Sequence, residues 1–268
     1  MPGVREWRNA LEDLRVPIMA MLELRKVTKR FGGILALNGL SFTVDDGEFF
    51  AVVGPNGSGK TTLLKVIAGL VAPDAGDVFI DGVRVNELPP WQRGVRMVFQ
   101  GYALFPHLKV YDERRLANLN FALKVRKYLQ EEIVKVLATV TRRVGIEEEL
   151  YSRKPDQLSA GQKQKVAVGK ALTIPPKIFL LDEPLSNLDP LSRLKVRDEL
   201  RRIHREIKAT TLYVTHNLPE AIALGDRLGV LNKGAIEQIG LPREVYERPV
   251  NEFVNAFLHS FDFPRPPA

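Results

Sequence analysis

The 268-residue sequence contains no cysteine and no apolar run longer than a single strand. Without cysteine, disulfides cannot hold the fold, so the cytosol is the expected compartment. A membrane-spanning helix needs about 20 mostly apolar residues, whereas the runs at residues 49–53 and 178–181 end after one strand's length. Any membrane association is therefore expected to be peripheral.

The first residues also lack the apolar block and the small-residue cleavage site of a secretory signal. No export is predicted from them. Met19 and Met21 lie directly before the first strand-like segment. Residues 1–21 are thus expected to be an N-terminal extension, which is either an added helix or the product of an upstream start.

Basic residues exceed acidic ones, and the formal net charge is +7. This charge would suit a nucleic acid, a nucleotide or the inner lipid leaflet as a partner. However, the basic pairs at residues 142–143 and 201–202 lie in helical patterns beside acidic residues, without an aromatic-rich RNA-binding motif. A solvated basic surface is therefore expected, and no nucleic-acid partner is predicted.

Short apolar segments alternate with longer segments of helical period, which is typical of an α/β domain around a central sheet. The pattern predicts strands at residues 22–27, 40–44, 49–53, 78–80, 95–99, 178–181, 212–215 and 227–231. It predicts helices at residues 60–70, 129–144, 162–172 and 191–207. The helical middle section, about residues 101–172, is predicted to form a subdomain.

Residues 54–61 have the glycine-rich sequence of a phosphate-binding loop, between a predicted strand and a predicted helix. The glycines let backbone N–H groups turn towards phosphates, and the helix N-terminus favours negative charge there. Lys60 is expected to neutralise the β- and γ-phosphates, and Thr61 to bind Mg²⁺. This phosphate loop occurs in GTPases, kinases, helicases and transport ATPases, so by itself it does not distinguish among these classes.

A second motif narrows the range of possible phosphate-loop proteins. The strand predicted at residues 178–181 ends in Asp182 and Glu183. Asp182 can reach the magnesium shell, while Glu183 faces the attacking water as the general base. In isolation such a pair is more often a solvated turn, but downstream of a phosphate loop it predicts hydrolysis of a triphosphate.

A third segment, residues 158–162, places Ser159, Gly161 and Gln162 at the start of a predicted helix. Alone, this segment would be a helix N-cap. In its context, the order of motifs along residues 22–258 resembles that of the ABC ATPases. The motifs that carry the resemblance are the phosphate loop, Gln100, residues 158–162, Asp182 with Glu183, residues 186–189, and Thr215 with His216.

The resemblance implies an α/β protein with the P-loop NTPase fold of ABC ATPases: a RecA-like core, an antiparallel β subdomain and a helical subdomain. It also implies a head-to-tail dimer, with ATP between the phosphate loop of one subunit and Ser159, Gly161 and Gln162 of the other. A serine hydroxyl, a glycine N–H and a helix N-terminus can form a second anion site. The expected ATP contacts within one subunit are Phe31, Gly54, Pro55, Asn56, Gly57, Ser58, Gly59, Lys60, Thr61 and Thr62.

By the same resemblance, Phe31 stacks on adenine, His216 contacts the γ-phosphate, and Asp189 communicates between the two sites of the dimer. The expected catalytic residues are Glu183, His216 and Gln100, and the expected magnesium ligands are Thr61, Gln100 and Asp182. Simpler interpretations stay open at this stage. Phe31 can be a core residue, Gln100 a polar residue at a strand end, and His216 an ordinary loop histidine.

Residues 100–107 and 240–246 carry a narrower resemblance, to the ATPases of bacterial and archaeal importers of sugars and similar solutes. Such ATPases usually continue into a β-barrel regulatory domain, which is not expected here because the sequence ends at Ala268. The predicted ATPase domain covers residues 22–258, followed by a tail at 259–268. Residues 113–117 look like an insertion in the stretch that docks the membrane partner.

The predicted function is that of an ATP-binding and ATP-hydrolysing ABC transporter subunit that uses ATP and Mg²⁺ to power solute import. Its predicted partners are a second ATPase subunit in a homodimer, transmembrane permease subunits and, indirectly, a solute-binding protein. It is expected to work peripherally on the cytoplasmic side of the membrane. The alternatives are a soluble ABC-type ATPase acting on nucleic acid or ribosomes, and a nonhydrolysing partner in a heterodimer.

Overall fold

The computed structural model describes residues 22–260, so the predicted N-terminal extension and residues 261–268 of the predicted tail lie outside the described residues. The strands are β1 (Leu22–Phe31), β2 (Ile34–Val44), β3 (Phe49–Val53), β4 (Ala75–Ile80), β5 (Val83–Arg84), β6 (Val95–Val98), β7 (Ile178–Asp182), β8 (Thr210–Thr215), β9 (Arg227–Asn232) and β10 (Ala235–Gly240). The α-helices are α1 (Lys60–Ala68), α2 (Phe121–Val125), α3 (Gln130–Arg143), α4 (Ala160–Leu172), α5 (Pro190–Ile207), α6 (Leu218–Leu224), α7 (Pro242–Glu247) and α8 (Glu252–His259).

These strands form two sheets. One is antiparallel, in the order β2-β1-β4-β5. The other has the order β10-β9-β3-β8-β7-β6, in which all neighbours run parallel except β10 against β9. In its register Val53 lies beside Thr215, and Asp182 lies beside Val214. The phosphate loop, Glu183 and His216 therefore all follow strands that end at one edge of the parallel sheet.

The central strands of the parallel sheet are buried on both faces, and β3, β7 and β8 are buried throughout. This explains their continuous apolar sequences, because successive side chains on a strand point to opposite faces. The side chains that face α3, α4 and α5 include Phe49, Phe179 and Tyr213. Those that face α1 and the antiparallel sheet include Phe50, Leu180 and Leu212.

Three helices, α2 to α4, lie within the section predicted to be a helical subdomain. The apolar stripe of α3, formed by Ile133, Leu137 and Val140, is buried in the same cluster as Val166 of α4 and Phe179 of β7. The section thus packs onto one face of the parallel sheet, with the first turn of α4 at its surface. The proposed boundaries of the subdomain and of the ATPase domain stay predictions.

Several element bounds differ from those predicted. The helix predicted at residues 60–70 ends at Ala68, because Gly69 adopts a left-handed conformation (φ 77°) that caps it. The predicted first strand extends to Phe31 and turns into β2 at Gly32 and Gly33. Across residues 22–260, no helix combines the length and the apolar character needed to cross a membrane.

Candidate active site

The phosphate loop connects β3 to α1 and folds back on its own backbone. Lys60 Nζ donates hydrogen bonds to the carbonyl oxygens of Gly54 at 2.9 Å and Pro55 at 3.0 Å. Burial lowers the pKa of Lys60, and the nearby Glu183 carboxylate partly opposes that effect. Ser58 Oγ is buried and has no hydrogen-bond partner among residues 22–260. The loop therefore presents a buried cation and an unpaired hydroxyl, which fit a phosphate group.

Helix α1 begins at Lys60 without a side-chain cap. The first amide groups of a helix have no acceptor within the helix, and they carry the positive end of its dipole. A bound anion can serve as the missing cap. Asn56 and Gly57 at the tip of the loop are exposed, whereas Thr61 and Thr62 in the first turn are half-buried. The helix end is thus accessible from the side of the loop tip.

Gly59 packs closely against the antiparallel sheet, and this contact supports a first testable prediction. Its φ is 108°, and an added Cβ would lie 2.4 Å from the Ala36 carbonyl oxygen. We expect Gly59→Ala to lower the free energy of unfolding by about 2–5 kcal/mol, through left-handed strain and overpacking together. Urea unfolding of the protein without nucleotide measures this loss.

The matched control is Gly57→Ala. Gly57 also has a positive φ, 78°, but an added Cβ there meets no atom within 4 Å. Its replacement should therefore carry only the conformational strain, about 1–2 kcal/mol. If both variants lose the same free energy of unfolding, the close contact between Gly59 and Ala36 does not contribute to stability.

A hydroxyl and a carboxylate meet where the phosphate loop faces β7. Thr61 Oγ1 donates to Asp182 Oδ1 at 3.0 Å. Burial raises the pKa of Asp182, the Thr61 hydrogen bond lowers it, and the charge of Glu183 raises it again. Mg²⁺ prefers such oxygen donors and usually takes one or two carboxylates beside substrate phosphates and waters. Thr61 and Asp182 therefore fit the predicted magnesium site.

The Glu183 carboxylate lies between an imidazole and an ammonium group. His216 Nδ1 is 2.9 Å from Glu183 Oε2, and Lys60 Nζ is 3.5 Å from Oε1. Glu183 is buried, but the His216 side chain is 48% exposed, so the pair is open to solvent on one side. Glu183 has a left-handed backbone (φ 44°), and its N–H donates to the Val214 carbonyl at 3.0 Å. This turn brings the carboxylate back towards the phosphate loop.

Gln100 follows β6 at the same edge of the sheet and is exposed. Its Nε2 donates to Ser186 Oγ at 3.4 Å, and that hydroxyl donates to the Glu183 carbonyl at 2.9 Å. Asn187 Nδ2 donates to the Gln100 carbonyl at 2.9 Å. Gln100 is therefore linked to the Glu183 turn, whereas its side chain makes no hydrogen bond to Thr61 or Asp182 in the described part of the chain.

Phe31 lies at the end of β1, paired with Ile34 across the hairpin. The residue is 48% exposed, so it is not a core residue. Lys29 Nζ lies 5.5 Å from the centre of its ring. An exposed aromatic face beside a lysine suits stacking with a planar, electron-rich group such as a base.

Ser159 and Gln162 cap the start of α4 by binding each other. Ser159 Oγ accepts from the Gln162 N–H at 3.3 Å, and Gln162 Oε1 accepts from the Ser159 N–H at 2.9 Å. An added Cβ at Gly161 would meet no atom within 4 Å. The N-terminal end of α4 is therefore capped by its own side chains, and the space beside Gly161 stays free. Within residues 22–260, neither Ser159 nor Gln162 makes a hydrogen bond to the phosphate loop, since their side chains bond to each other's backbone N–H groups.

Asp189 also caps a helix. Its Oδ1 accepts from the Ser192 N–H at 3.0 Å at the start of α5, and the hydrogen bonds from Ser192 lower its pKa. Its side chain bonds to the helix that it starts, so its predicted role between two subunits stays a prediction.

A buried carboxylate near His216, Glu220, was missed by the sequence analysis. It accepts hydrogen bonds from Tyr213 and Thr215 and faces Arg193. A signal was present, because Glu220 is the third residue after Asn217, which caps α6. That pattern predicts a helix start but not a buried network.

The comparison with known families settles the type of protein. The family model described as ABC transporter matches residues 37–186, more than half of the chain, including the phosphate loop, residues 158–162 and the Asp182-Glu183 pair. The chain belongs to the ABC transporter family. The predicted fold is confirmed with it: the parallel sheet is the ABC core, the antiparallel sheet is its β part, and α2 to α4 are its helical part.

Relatives within the ABC family cover most of this chain. The sn-glycerol-3-phosphate import ATP-binding protein UgpC of Ralstonia nicotianae is 48% identical over 244 residues, which are 90% of this chain and 65% of that protein. The trehalose/maltose import ATP-binding protein MalK of Thermococcus litoralis is 45% identical over 248 residues, with the same two coverages. The chain thus spans about 65% of the length of these curated relatives.

A solved ABC structure agrees with this fold. The dimeric structure of the bacterial ABC transporter cassette MJ0796 matches with a TM-score of 0.72 and 33% identity. The match covers 83% of this chain and 99% of that cassette.

Proposed function

We propose that this ABC protein is the ATP-hydrolysing subunit of an importer and that it works as a homodimer. The observation that carries the proposal is the Glu183 carboxylate, 2.9 Å from His216 and 3.5 Å from Lys60, directly beside the phosphate loop. A carboxylate held at hydrogen-bond distance from an imidazole next to a phosphate site can accept a proton from an attacking water.

Each residue of the site has a part in that reaction. Lys60 and the amide groups at the start of α1 bind the phosphates, and the phosphate charge offsets the burial that lowers the pKa of Lys60. Glu183 takes the proton of the water, while His216 orients the Glu183 carboxylate and contacts the γ-phosphate. Thr61 and Asp182, with Gln100 nearby, would hold Mg²⁺, which when bound neutralises charge on the phosphate oxygens.

The second anion-binding element comes from the partner subunit in this proposal. Ser159 is exposed, Gly161 and Gln162 are half-buried, and a Cβ added at Gly161 would meet no atom within 4 Å. Apposed to the ATP of a second copy, Ser159, Gly161 and Gln162 offer a hydroxyl, an open backbone and a helix dipole to the γ-phosphate. The dimeric state of the related cassette MJ0796 supports this arrangement.

The proposed partners are transmembrane permease subunits and, through them, a solute-binding protein. Support comes from the relatives, which are named as import ATP-binding proteins for glycerol 3-phosphate and for trehalose and maltose. A sugar or a similar small solute is accordingly the proposed cargo, and the cytoplasmic face of the membrane the proposed location. The solute is selected by the permease and binding protein rather than by this chain.

The decisive experiment measures ATP hydrolysis by the purified protein, alone and assembled in lipid vesicles with importer permease subunits from the same organism. We expect the permease to raise the hydrolysis rate and EDTA to abolish it, because Thr61 and Asp182 would lose Mg²⁺. Binding of a fluorescent ATP analogue should weaken with EDTA but persist, since Lys60 and α1 still bind phosphate. Stimulation by DNA or RNA, and none by the permease, would instead support a soluble ABC-type ATPase.

A further inference from the structure

Glu220 is a buried carboxylate whose two oxygens are used by different parts of the fold. Its residue exposure is 6%. Oε2 accepts hydrogen bonds from Tyr213 Oη at 2.7 Å and from Thr215 Oγ1 at 2.9 Å. Oε1 lies 3.7 Å from Arg193 Nε. Burial and the charge of Glu220 raise the pKa of Tyr213 well above its ordinary value, so Tyr213 acts as the donor in this bond.

The contacts of Glu220 involve the residues on both sides of His216. Before His216, Thr215 donates its hydroxyl to Glu220 and accepts the Asn217 N–H at 3.0 Å. After His216, Asn217 Oδ1 accepts the Glu220 N–H at 3.1 Å. The histidine is thus the middle residue of a turn whose two neighbours are both tied to Glu220. Thr215 is bonded to the Glu220 carboxylate and Asn217 to the Glu220 backbone, so a shift of the carboxylate would act on the turn through Thr215, the residue before His216.

Arg193 connects this network to the loop before α5. Its Nη2 donates to the Leu188 carbonyl at 3.1 Å, and its N–H donates to the Asp189 carbonyl at 2.8 Å. Its Nε is buried and has no hydrogen-bond partner among residues 22–260, although Glu220 lies just beyond bonding distance. A small shift of the loop that contains Asp189 would close or open this contact.

We propose that Glu220 is a positioning residue for ATP hydrolysis, which holds the turn around His216 and couples it through Arg193 to the loop that ends at Asp189. The proposal rests on the proposed function of the site. It adds a physical connection between the turn around His216 and the loop that ends at Asp189. An ion pair between a half-buried arginine and a buried carboxylate is weak evidence for a gain in stability, because desolvation offsets much of its attraction. Its expected effect is therefore on the geometry of His216.

The first test is Glu220→Gln, which preserves the volume of the side chain and removes its charge. We expect kcat for ATP hydrolysis to fall about 10- to 100-fold, because a small misplacement of a catalytic group has effects of this size. The KM for ATP should change less than about threefold, since Lys60 and α1 are untouched. The control is Glu244→Gln, because Glu244 is also the third residue of a capped helix but is exposed, and it should match wild type.

A double-mutant cycle distinguishes positioning from a general structural role. If Glu220 acts through His216, then Glu220→Gln should lower kcat by less than about twofold in a His216→Ala background. If the two substitutions lower kcat by independent factors that multiply in the double variant, the proposal is wrong. Should Glu220→Gln fail to fold, Thr215→Val removes one donor to Glu220 at nearly constant volume and must show the same split between kcat and KM.

Arg193→Met tests the connection to the Asp189 loop. Alone it should lower kcat about threefold to tenfold, and combined with Glu220→Gln it should add nothing further. Arg197→Met, one turn later on α5 and paired only with Asp198 in the described contacts, is the control. If the double variant lowers kcat by the product of the two single factors, Arg193 and Glu220 are not coupled and this part of the proposal is wrong.

These outcomes can be told apart from a failure of the proposed function. If wild-type protein hydrolyses ATP and His216→Ala slows it, the function stands whatever Glu220 does. If wild-type protein shows no hydrolysis with its permease, the proposed function fails before Glu220 is tested.

Discussion

Glu183→Gln should lower the rate of ATP hydrolysis by about 100- to 10,000-fold, the range expected when a general base is removed. The amide cannot take a proton from water, yet it can still accept a hydrogen bond from His216 and keeps nearly the same volume. ATP binding should persist, because Lys60 and the first turn of α1 do not change. The variant should therefore accumulate dimers with ATP bound, since the step that opens them is blocked.

Size-exclusion chromatography with ATP and Mg²⁺ measures the dimer, and phosphate release measures the reaction. Glu244→Gln is again the matched control, because its exposed carboxylate caps a helix far along the chain from Glu183. A Glu183→Gln protein that hydrolyses ATP at the wild-type rate would remove the general base from the mechanism. One that neither hydrolyses ATP nor forms dimers would contradict closure of the dimer on ATP.

Gly161→Asp should abolish hydrolysis while leaving the monomer as stable as before. In the single chain an added Cβ meets nothing within 4 Å, and an acidic residue in the first turn of α4 favours the helix by about 0.3–1 kcal/mol. In a head-to-tail dimer the same carboxylate would face the γ-phosphate of the partner's ATP. Loss of one donor for a transition-state anion typically lowers rates about 100- to 1,000-fold, and a repelling charge should do at least as much.

The control for this variant is Gly161→Ala, which adds a Cβ in the same place without a charge. Urea unfolding of the monomer should differ little between the two variants, and phosphate release should differ greatly. A mixture of Gly161→Asp with Lys60→Ala should hydrolyse ATP faster than either variant alone, because a mixed dimer contains one site with both elements intact. No gain on mixing, with both proteins folded, would place the two elements in a single subunit.

The elements predicted well are those whose signal is local. The buried strands β3, β7 and β8 were predicted from continuous apolar runs, and α3 to α5 from their helical period, with errors of a few residues at the ends. The missed elements are β5, β10, α2, α6, α7 and α8. None of them is longer than eight residues, so each contains too few repeats for its periodicity to be recognised in the sequence.

The residues of the candidate site can also be separated into those that were predicted from the sequence and those that were not. Lys60, Asp182 and Glu183 were predicted from motifs that follow a recognisable strand, and His216 was predicted from the resemblance to ABC ATPases. Glu220 was not predicted, because its partners Tyr213, Thr215 and Arg193 are drawn together by packing of α5 and α6 against β8. Gln100 was predicted beside Mg²⁺, whereas its side chain bonds to Ser186 here.

The amino-acid sequence by itself determined the phosphate loop and the acidic strand end, because glycine positions, apolar periods and charged strand ends act over a few neighbouring residues. The order of these motifs along the chain then carried the resemblance to ABC ATPases. Only the tertiary structure decided that Glu183 turns through a left-handed residue towards Lys60 and His216, and that Glu220 anchors both neighbours of His216. Those contacts join residues from separate strands and helices. Their geometry depends on how the sheet and helices pack, which no local pattern in the sequence specifies.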